Sequence, residues 1–246
     1  MTTAGGSDTA WQALAAARNN AQWCASVCRA HGLDTTFRDR AWTSARRTPP
    51  LYPDAVTVDP AATAADVLPW IDTAPAGCSV KDSFAGLDLA PAGFAVLTEA
   101  SWIFRPAGRR APEPPARVRW LPVRTPAALA DWESSWAGGD EPAGLFRPGL
   151  LADPAVLVVG GYADGTVIAG AALNASPARD GAPGVVGVSN LFAADDDLDG
   201  AWAGALAAAA RHFPGLPAVG YEHGTDLDAA RRSGFTPVGD LRIWLR

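Results

Sequence analysis

Between Gly184 and Phe213 the chain reads GVVGVSNLFAADDDLDGAWAGALAAAARHF, and this run constrains the fold more than any other. Val185, Val186, Val188, Leu191 and Phe192 predict a buried strand, and Ala193 to Asp199 an acidic turn. The alanine-rich run from Gly200 to His212 has strong helix propensity. A strand running straight into a helix N-terminus is where α/β proteins place anionic ligands, because free backbone N–H groups and the positive end of the dipole both face the incoming charge. Here the chain supplies anions of its own: Asp195, Asp196, Asp197 and Asp199. Asp197 or Asp199 is expected to cap the helix, a contribution of about 1 kcal/mol.

The rest of the chain alternates in the same way. Residues from Asp8 to His31 predict an amphipathic helix, capped by Asp8 or Ser7, striped with Leu14, Trp23 and Val27, and stopped by Gly32. Proline is too dense between Trp42 and Pro60 for a helix, and Ala55 to Val58 alternates like a short strand. Thr63 to Ile71 reads as a short helix with Thr63 as its cap. Cys78 to Ser83 and a short apolar helix-like stretch precede Gly93-Phe94 and a strand from Val96 to Phe104. The composition of RPAGRRAPEPPAR, Arg105 to Arg117, is that of a linker, and it separates a lobe over 1–110 from one over 118–246.

The second half opens with a strand, Val118 to Val123, and a helix from Pro126 to about Trp136 with Thr125 as cap. Two strands, Val156 to Gly161 and Thr166 to Ala175, flank the hairpin turn Ala163-Asp164-Gly165. After the central strand and helix come a strand from Ala218 to Tyr221, a helix near Asp226 to Ser233, and a closing strand pair, Phe235 to Val238 and Leu241 to Leu245. The halves share a signature. Gly93-Phe94 leads to Trp102-Ile103-Phe104-Arg105, and Gly234-Phe235 leads to Ile243-Trp244-Leu245-Arg246, each after a short strand and one to two helical turns. The repeat points to a degenerate duplication.

Composition narrows the function. A net charge of −6 with no basic stripe argues against nucleic acid. No apolar run approaches the roughly 20 residues of a membrane span, and MTTAGGSDTA has neither the basic nor the apolar segment of a signal peptide. Three cysteines suit a reducing compartment, so a soluble cytoplasmic protein is expected. Arg outnumbers Lys so heavily that Lys81 is the only lysine, which with abundant Ala, Gly and Pro suggests a GC-rich genome.

Several clusters carry chemistry. Tyr221, Glu222 and His223 end a strand, a favoured place for ligands in α/β sheets, where Glu222 or His223 could move a proton; the plainer reading is a solvated turn. By the repeat, Lys81 and Asp82 hold the matching place in the first half, either as an ion pair or as groups that orient a ligand between the lobes. Cys24, Cys28 and His31 share a helix face and, with Cys78, have the residue types of a zinc site, but they lack a Cys-x-x-Cys knuckle; buried thiols and no metal are expected. Trp11, Trp23, Trp42, Tyr52, Trp70 and Trp102, beside Arg46 and Arg47, suit either core packing or recognition of an anionic or aromatic ligand.

The element order from Val118, ending in SGFTPVGDLRIWLR, resembles the GCN5-related N-acetyltransferase (GNAT) fold, and the whole chain resembles two-lobed GNAT-like proteins of high-GC bacteria with a truncated first lobe. The resemblance implies an α/β (α+β) fold with a mixed, mostly antiparallel sheet flanked by helices. It implies acyl transfer from acetyl-CoA or another acyl-CoA to a small-molecule amine, with a homodimer as an open assembly. Ser189, Asn190, Leu191 and Phe192 would flank the pantetheine arm, and the loop from Ala194 to Gly200 would meet the pyrophosphate. That loop has neither the family's Gly-x-Gly nor its Arg, and Ala230 stands where many members carry an acidic tyrosine. Glu222, His223 or Tyr221 would then handle protons. The alternative is a catalytically silent module that binds a small ligand or a protein partner between its lobes.

Overall fold

The structure, a computed structural model, describes residues 5–139, 143–179 and 182–246, with the side chains of 5–8 left out. Its first half comprises α1 (Gly5–Ala30), β1 (Thr36–Phe37), β2 (Ala41–Thr43), β3 (Ala55–Thr57), α2 (Ala64–Val67), β4 (Ser79–Asp82) and β5 (Ala95–Arg105). The second half comprises β6 (Arg119–Pro122), α3 (Pro126–Trp136), β7 (Val156–Ala163), β8 (Thr166–Ser176), β9 (Val185–Ala193), α4 (Leu198–His212), β10 (Ala218–Glu222), α5 (Gly224–Arg232) and β11 (Thr236–Leu245). The first helix starts at Gly5, upstream of its expected cap; the side chains of Ser7 and Asp8 lie outside the described residues.

Local chemistry explains most boundaries. Thr63 and Asp66 form a capping box on α2, and the Thr125 hydroxyl accepts from Ala128 N at the start of α3. Asp164 and Gly165 both have positive φ, 49° and 81°, as a two-residue primed hairpin turn requires.

One sheet holds all eleven described strands, in the order β1-β2-β3-β4-β11-β5-β10-β9-β8-β7-β6. Only β3/β4 and β9/β10 run parallel; every other neighbouring pair is antiparallel. From the centre outward the sheet reads the same on both sides. β11 and β5 pair, then β4 and β10 flank them antiparallel, then β3 and β9 follow in parallel, then β2 and β8, then β1 and β7. The last strand of each half therefore crosses to the other: β5 lies against β10, and β11 against β4. The irregular stretch over 106–118 joins β5 to β6.

The duplicated Gly-Phe signature has a conformational basis. Gly93 and Gly234 take φ of 82° and 94°, which ends a helical turn with a left-handed residue, and Phe94 and Phe235 are buried just after. The arginine ending each repeat reaches the turn before the other repeat's Gly-Phe strand. Arg105 Nε donates to Ser233 O at 3.0 Å, and Arg246 Nε would stand 3.4 Å from a Cβ on Gly93.

The expected closing strand pair is instead the single strand β11. Gly239 and Asp240 stay in register with Trp102 and Ser101, and the break is only a bulge between Pro237 and Gly239. Gly239 passes so close to α1 that a Cβ would lie 3.2 Å from that of Ala13.

Helices cover both faces. α1 and α3 pack one side through Trp23, Val27, Leu129 and Trp132, and α4 and α5 pack the other through Trp202, Leu206, Ala229 and Ala230. α1 is buried over more than the expected stripe and docks through a reciprocal amide pair: Asn19 Nδ2 donates to Asn174 O at 2.9 Å, and Asn174 Nδ2 to Asn19 O at 3.1 Å. Gly187 admits this contact, since a Cβ there would lie 1.9 Å from Asn19 Oδ1. No described helix is long and apolar enough to cross a membrane.

Candidate functional site

The site begins where two parallel strands part. β9 and β10 pair only at Val186–Ala218 and Gly187–Val219. Beyond that point β9 bulges: Ala172 opposes Ser189 and Gly170 opposes Phe192, so Asn190 and Leu191 face a single residue of β8. Asn190 absorbs the kink with φ of 53°. The edge of β9 from Val188 onward thus has no strand partner on its β10 side, a row of free backbone donors and acceptors.

The gap opens into a cleft of about 270 Å³. Val188 to Leu191 form one wall and Tyr221, Glu222 and His223 the other. Asn20, Trp23 and Cys24 of α1, the loop Leu51-Tyr52-Pro53, and Lys81 close it from the first half. Leu51 at its mouth is 81% exposed with φ of 69°, a strained apolar residue of the kind that collects at binding sites.

Each side chain has a definite setting. Tyr52 donates its hydroxyl to Asn190 Oδ1 at 3.4 Å, and burial raises its phenol well above the ordinary range. Lys81 Nζ donates to Asn20 Oδ1 at 2.9 Å and lies 3.9 Å from the Tyr221 ring centroid. Glu222 is half-buried; burial, with the like charge of Asp226 second, pushes its carboxyl up to about 8. His223 is exposed at the N-cap of α5. Glu222 and His223 also line a second depression of about 450 Å³, with Ser101, Leu227, Asp240 and Arg242 on the α5 side, so Glu222 is approached from two directions.

Six of the expected site residues therefore meet at one cleft: Ser189, Asn190, Leu191, Tyr221, Glu222 and His223. Phe192 instead packs edge-on against Trp132, 5.3 Å between centroids, in the core. Gly200 lies in the first turn of α4, where Asp197 Oδ1 accepts from its N–H at 2.9 Å, and a Cβ would lie 2.5 Å from Asp197 Oδ2. Two other acids of that turn, Asp195 and Asp199, are paired with arginines. Arg117 binds Asp195 at 2.9 Å and Asp197 at 3.9 Å, and Arg232 binds Asp199 at 2.9 Å. The Arg117 guanidinium holds the Asp195 carboxyl below its usual range. The α4 N-terminus is thus capped by the chain's own carboxylate.

The remaining clusters separate. Cys24, Cys28 and Cys78 are buried free thiols, the first two pushed up to about 11 and about 12 by burial, while His31 Nε2 sits 2.8 Å from Leu145 O. No three His, Cys, Asp or Glu side chains among the described residues are placed to hold a metal ion. Of the aromatic residues, Trp23, Trp42 and Trp102 are core, and Trp70 is exposed beneath Arg38, 3.4 Å from ring centroid to guanidinium carbon. Arg47 pairs with buried Asp54. Ala230 is fully buried among apolar neighbours, and no proton donor stands in its place. Asn20 was not foreseen as a site residue: it is one polar position on a helix whose docking angle no local pattern encodes.

No family model and no curated protein matches the chain. Among solved structures it is similar to a GCN5-related N-acetyltransferase from Kribbella flavida, at 18% identity and a TM-score of 0.57, covering 94% of this chain and 95% of that one. A functionally unknown conserved protein from Staphylococcus epidermidis shares 11% identity at a TM-score of 0.50, over 70% of this chain and 72% of that one. A Drosophila protein shares 14% at 0.51, over 78% and 69%. The chain has the fold of the GCN5-related N-acetyltransferases, with the mixed, mostly antiparallel sheet that the resemblance implied.

Proposed function

We propose that this protein is an N-acyltransferase that moves an acetyl or other acyl group from an acyl-CoA to a small-molecule amine. The observation that carries the reading is the parting of β9 from β10, which leaves a free strand edge facing a carboxyl raised to about 8. Coenzyme A supplies the acyl group as a thioester. The backbone of 188–191 would hold the pantetheine arm, and the same amides would polarise the thioester carbonyl. Once its raised carboxyl has ionised, at about pH 8 and above, Glu222 takes one proton from the incoming ammonium. Nitrogen then attacks the carbonyl carbon, the C–N bond forms as the C–S bond breaks, and the second amine proton ends on the departing sulfur. His223 or Tyr221 can deliver that proton. The division into a truncated lobe over 1–110 and an acyltransferase lobe over 118–246, and a cytoplasmic setting for the free thiols, belong to the same proposal.

A second reading has its own support. At the α4 N-terminus, Asp195, Asp196 and Asp197 oppose a pyrophosphate by like charge, on the order of 1 kcal/mol each before screening. A silent module that binds a small ligand or a protein partner in the cleft would tolerate them. Isothermal titration with acetyl-CoA separates the two. Micromolar binding, tightened about threefold or more in Asp195→Asn/Asp196→Asn, supports the transferase. No binding to either protein sinks it.

A further inference from the structure

We infer that the acceptor amine also carries a carboxylate, and that Lys81 binds it; the inference rests on the acyltransferase reading above. Lys81 is the chain's one lysine, and only 3% of it is exposed. Its ammonium makes one hydrogen bond, to a neutral amide, and one contact with a ring face. Among the described residues no carboxylate lies within ion-pair distance of it. The neighbouring Asp82 is turned elsewhere, accepting from Leu87 N at 2.8 Å and Phe84 N at 3.4 Å. Glu222 lines the same cleft, but its raised affinity keeps it protonated and neutral at pH 7.

The other buried charged groups each have at least two hydrogen-bond partners, where the Lys81 ammonium has one. Asp54 has Arg47 and two backbone N–H groups, Glu133 takes the N–H groups of Leu145 and Phe146, and Arg105 donates to two carbonyls. A buried ammonium without a counter-ion is costly, and methionine would fill the same space at no such cost. The missing anion is supplied by whatever occupies the cleft, because Lys81 is part of its wall. The cleft of about 270 Å³ must also take the end of the pantetheine along 188–191, which leaves room only for a small acceptor. The ends of the cleft then divide the work. Lys81 holds the carboxylate, the ring of Tyr221 packs beneath, and the amine is left toward Glu222.

The test uses the full chain with acetyl-CoA and with glycine, phenylalanine and glutamate, each beside its α-amide, and follows thiol release. At least one free acid is expected to exceed its amide in kcat/KM by roughly 100-fold, because the amide leaves the ammonium unpaired. In Lys81→Met that preference should fall to within about fivefold, the scale of an exposed ion pair, with acetyl-CoA affinity kept and Tm unchanged or raised. Equal use of acid and amide, or a preference that survives in Lys81→Met, overturns the inference. If acetyl-CoA does not bind at all, the transferase reading has failed separately. The same amino acids are then titrated alone: binding that is lost in Lys81→Met keeps the carboxylate site, and no Lys81-dependent binding overturns it.

Discussion

Lys81 and Tyr221, which meet at 3.9 Å between ammonium and ring centre, occupy equivalent places in the two halves of the chain. Lys81 opposes Ile243 three residues before the terminal Arg246, and Tyr221 opposes Trp102 three residues before Arg105. The pseudo-symmetry axis that relates the halves thus brings its own equivalent residues into contact at the site. A desolvated cation–π pair contributes about 1 to 2 kcal/mol. Urea denaturation of Lys81→Met, Tyr221→Leu and the double variant should give a coupling of that size. Strictly additive effects would remove the contact from the account of stability.

Glu222 should impose a pH dependence on both rate and stability. Acyl transfer is expected to rise as pH passes about 8, where the carboxyl ionises. Glu222→Gln should lose that rise and about 100-fold in rate. For stability the sign is opposite. Between the ordinary value of 4.5 and about 8 the unfolded chain gives up a proton that the native protein keeps, so the native state loses ground as pH rises through that window. Melts at pH 5 and pH 8.5 should therefore differ less in Glu222→Gln than in wild type. Removing the like charge in Asp226→Asn should move the rate inflection to lower pH.

The acidic turn contains two kinds of aspartate, and their removal should differ. Asp197 caps α4 through Gly200 N, so Asp197→Ala should cost about 1 kcal/mol, a fall in Tm of roughly 2–4 °C. The Asp199–Arg232 pair is more than half exposed on both sides, and Asp199→Asn should stay within about 0.5 kcal/mol. Equal losses in the two variants would mean that the cap is not what holds the turn.

Gly204 marks the tightest packing of helix on sheet. A Cβ there would lie 1.7 Å from Cε2 of Trp120, whose ring lies directly on the α4 backbone. Gly204→Ala should destabilise by about 3 kcal/mol, at the upper end for an overpacked core, despite the gain in helix propensity. Adding Trp120→Leu should recover most of the loss; failure to recover it would place the strain elsewhere.

Local chemistry was legible in the sequence wherever one residue type has one cheap conformation. Thr125-Pro126, Asp164-Gly165 and the Gly-Phe pairs located a cap, a hairpin and two helix ends where the structure has them. The central strand and the Tyr221-Glu222-His223 end were legible from apolar runs, and they do form opposite walls of one cleft. What was hidden depends on partners distant in sequence. β1 and β2 have only two and three residues, too few to show a period. Gly239-Asp240 looks like a turn, but β5 pairs with it and keeps the chain extended. The exchange of β5 and β11 is a matter of which edge each strand finds, and no residue in either strand encodes that choice alone. The isolation of Lys81 became visible only once Asp82 was seen to face away.

That exchange also sets a timetable. β4 gains its second neighbour only from the last ten residues, because Ser79 to Asp82 lie against Leu245 to Arg242. While the chain is being synthesised, the first half must wait with an open edge until β11 has emerged. Closure of such distant pairs is slow, and an exposed edge in the interval invites mispairing. Losing Arg242 to Leu245 would therefore harm a part of the fold made about 160 residues earlier, unpairing β4 and one wall of the cleft that Lys81 helps to build.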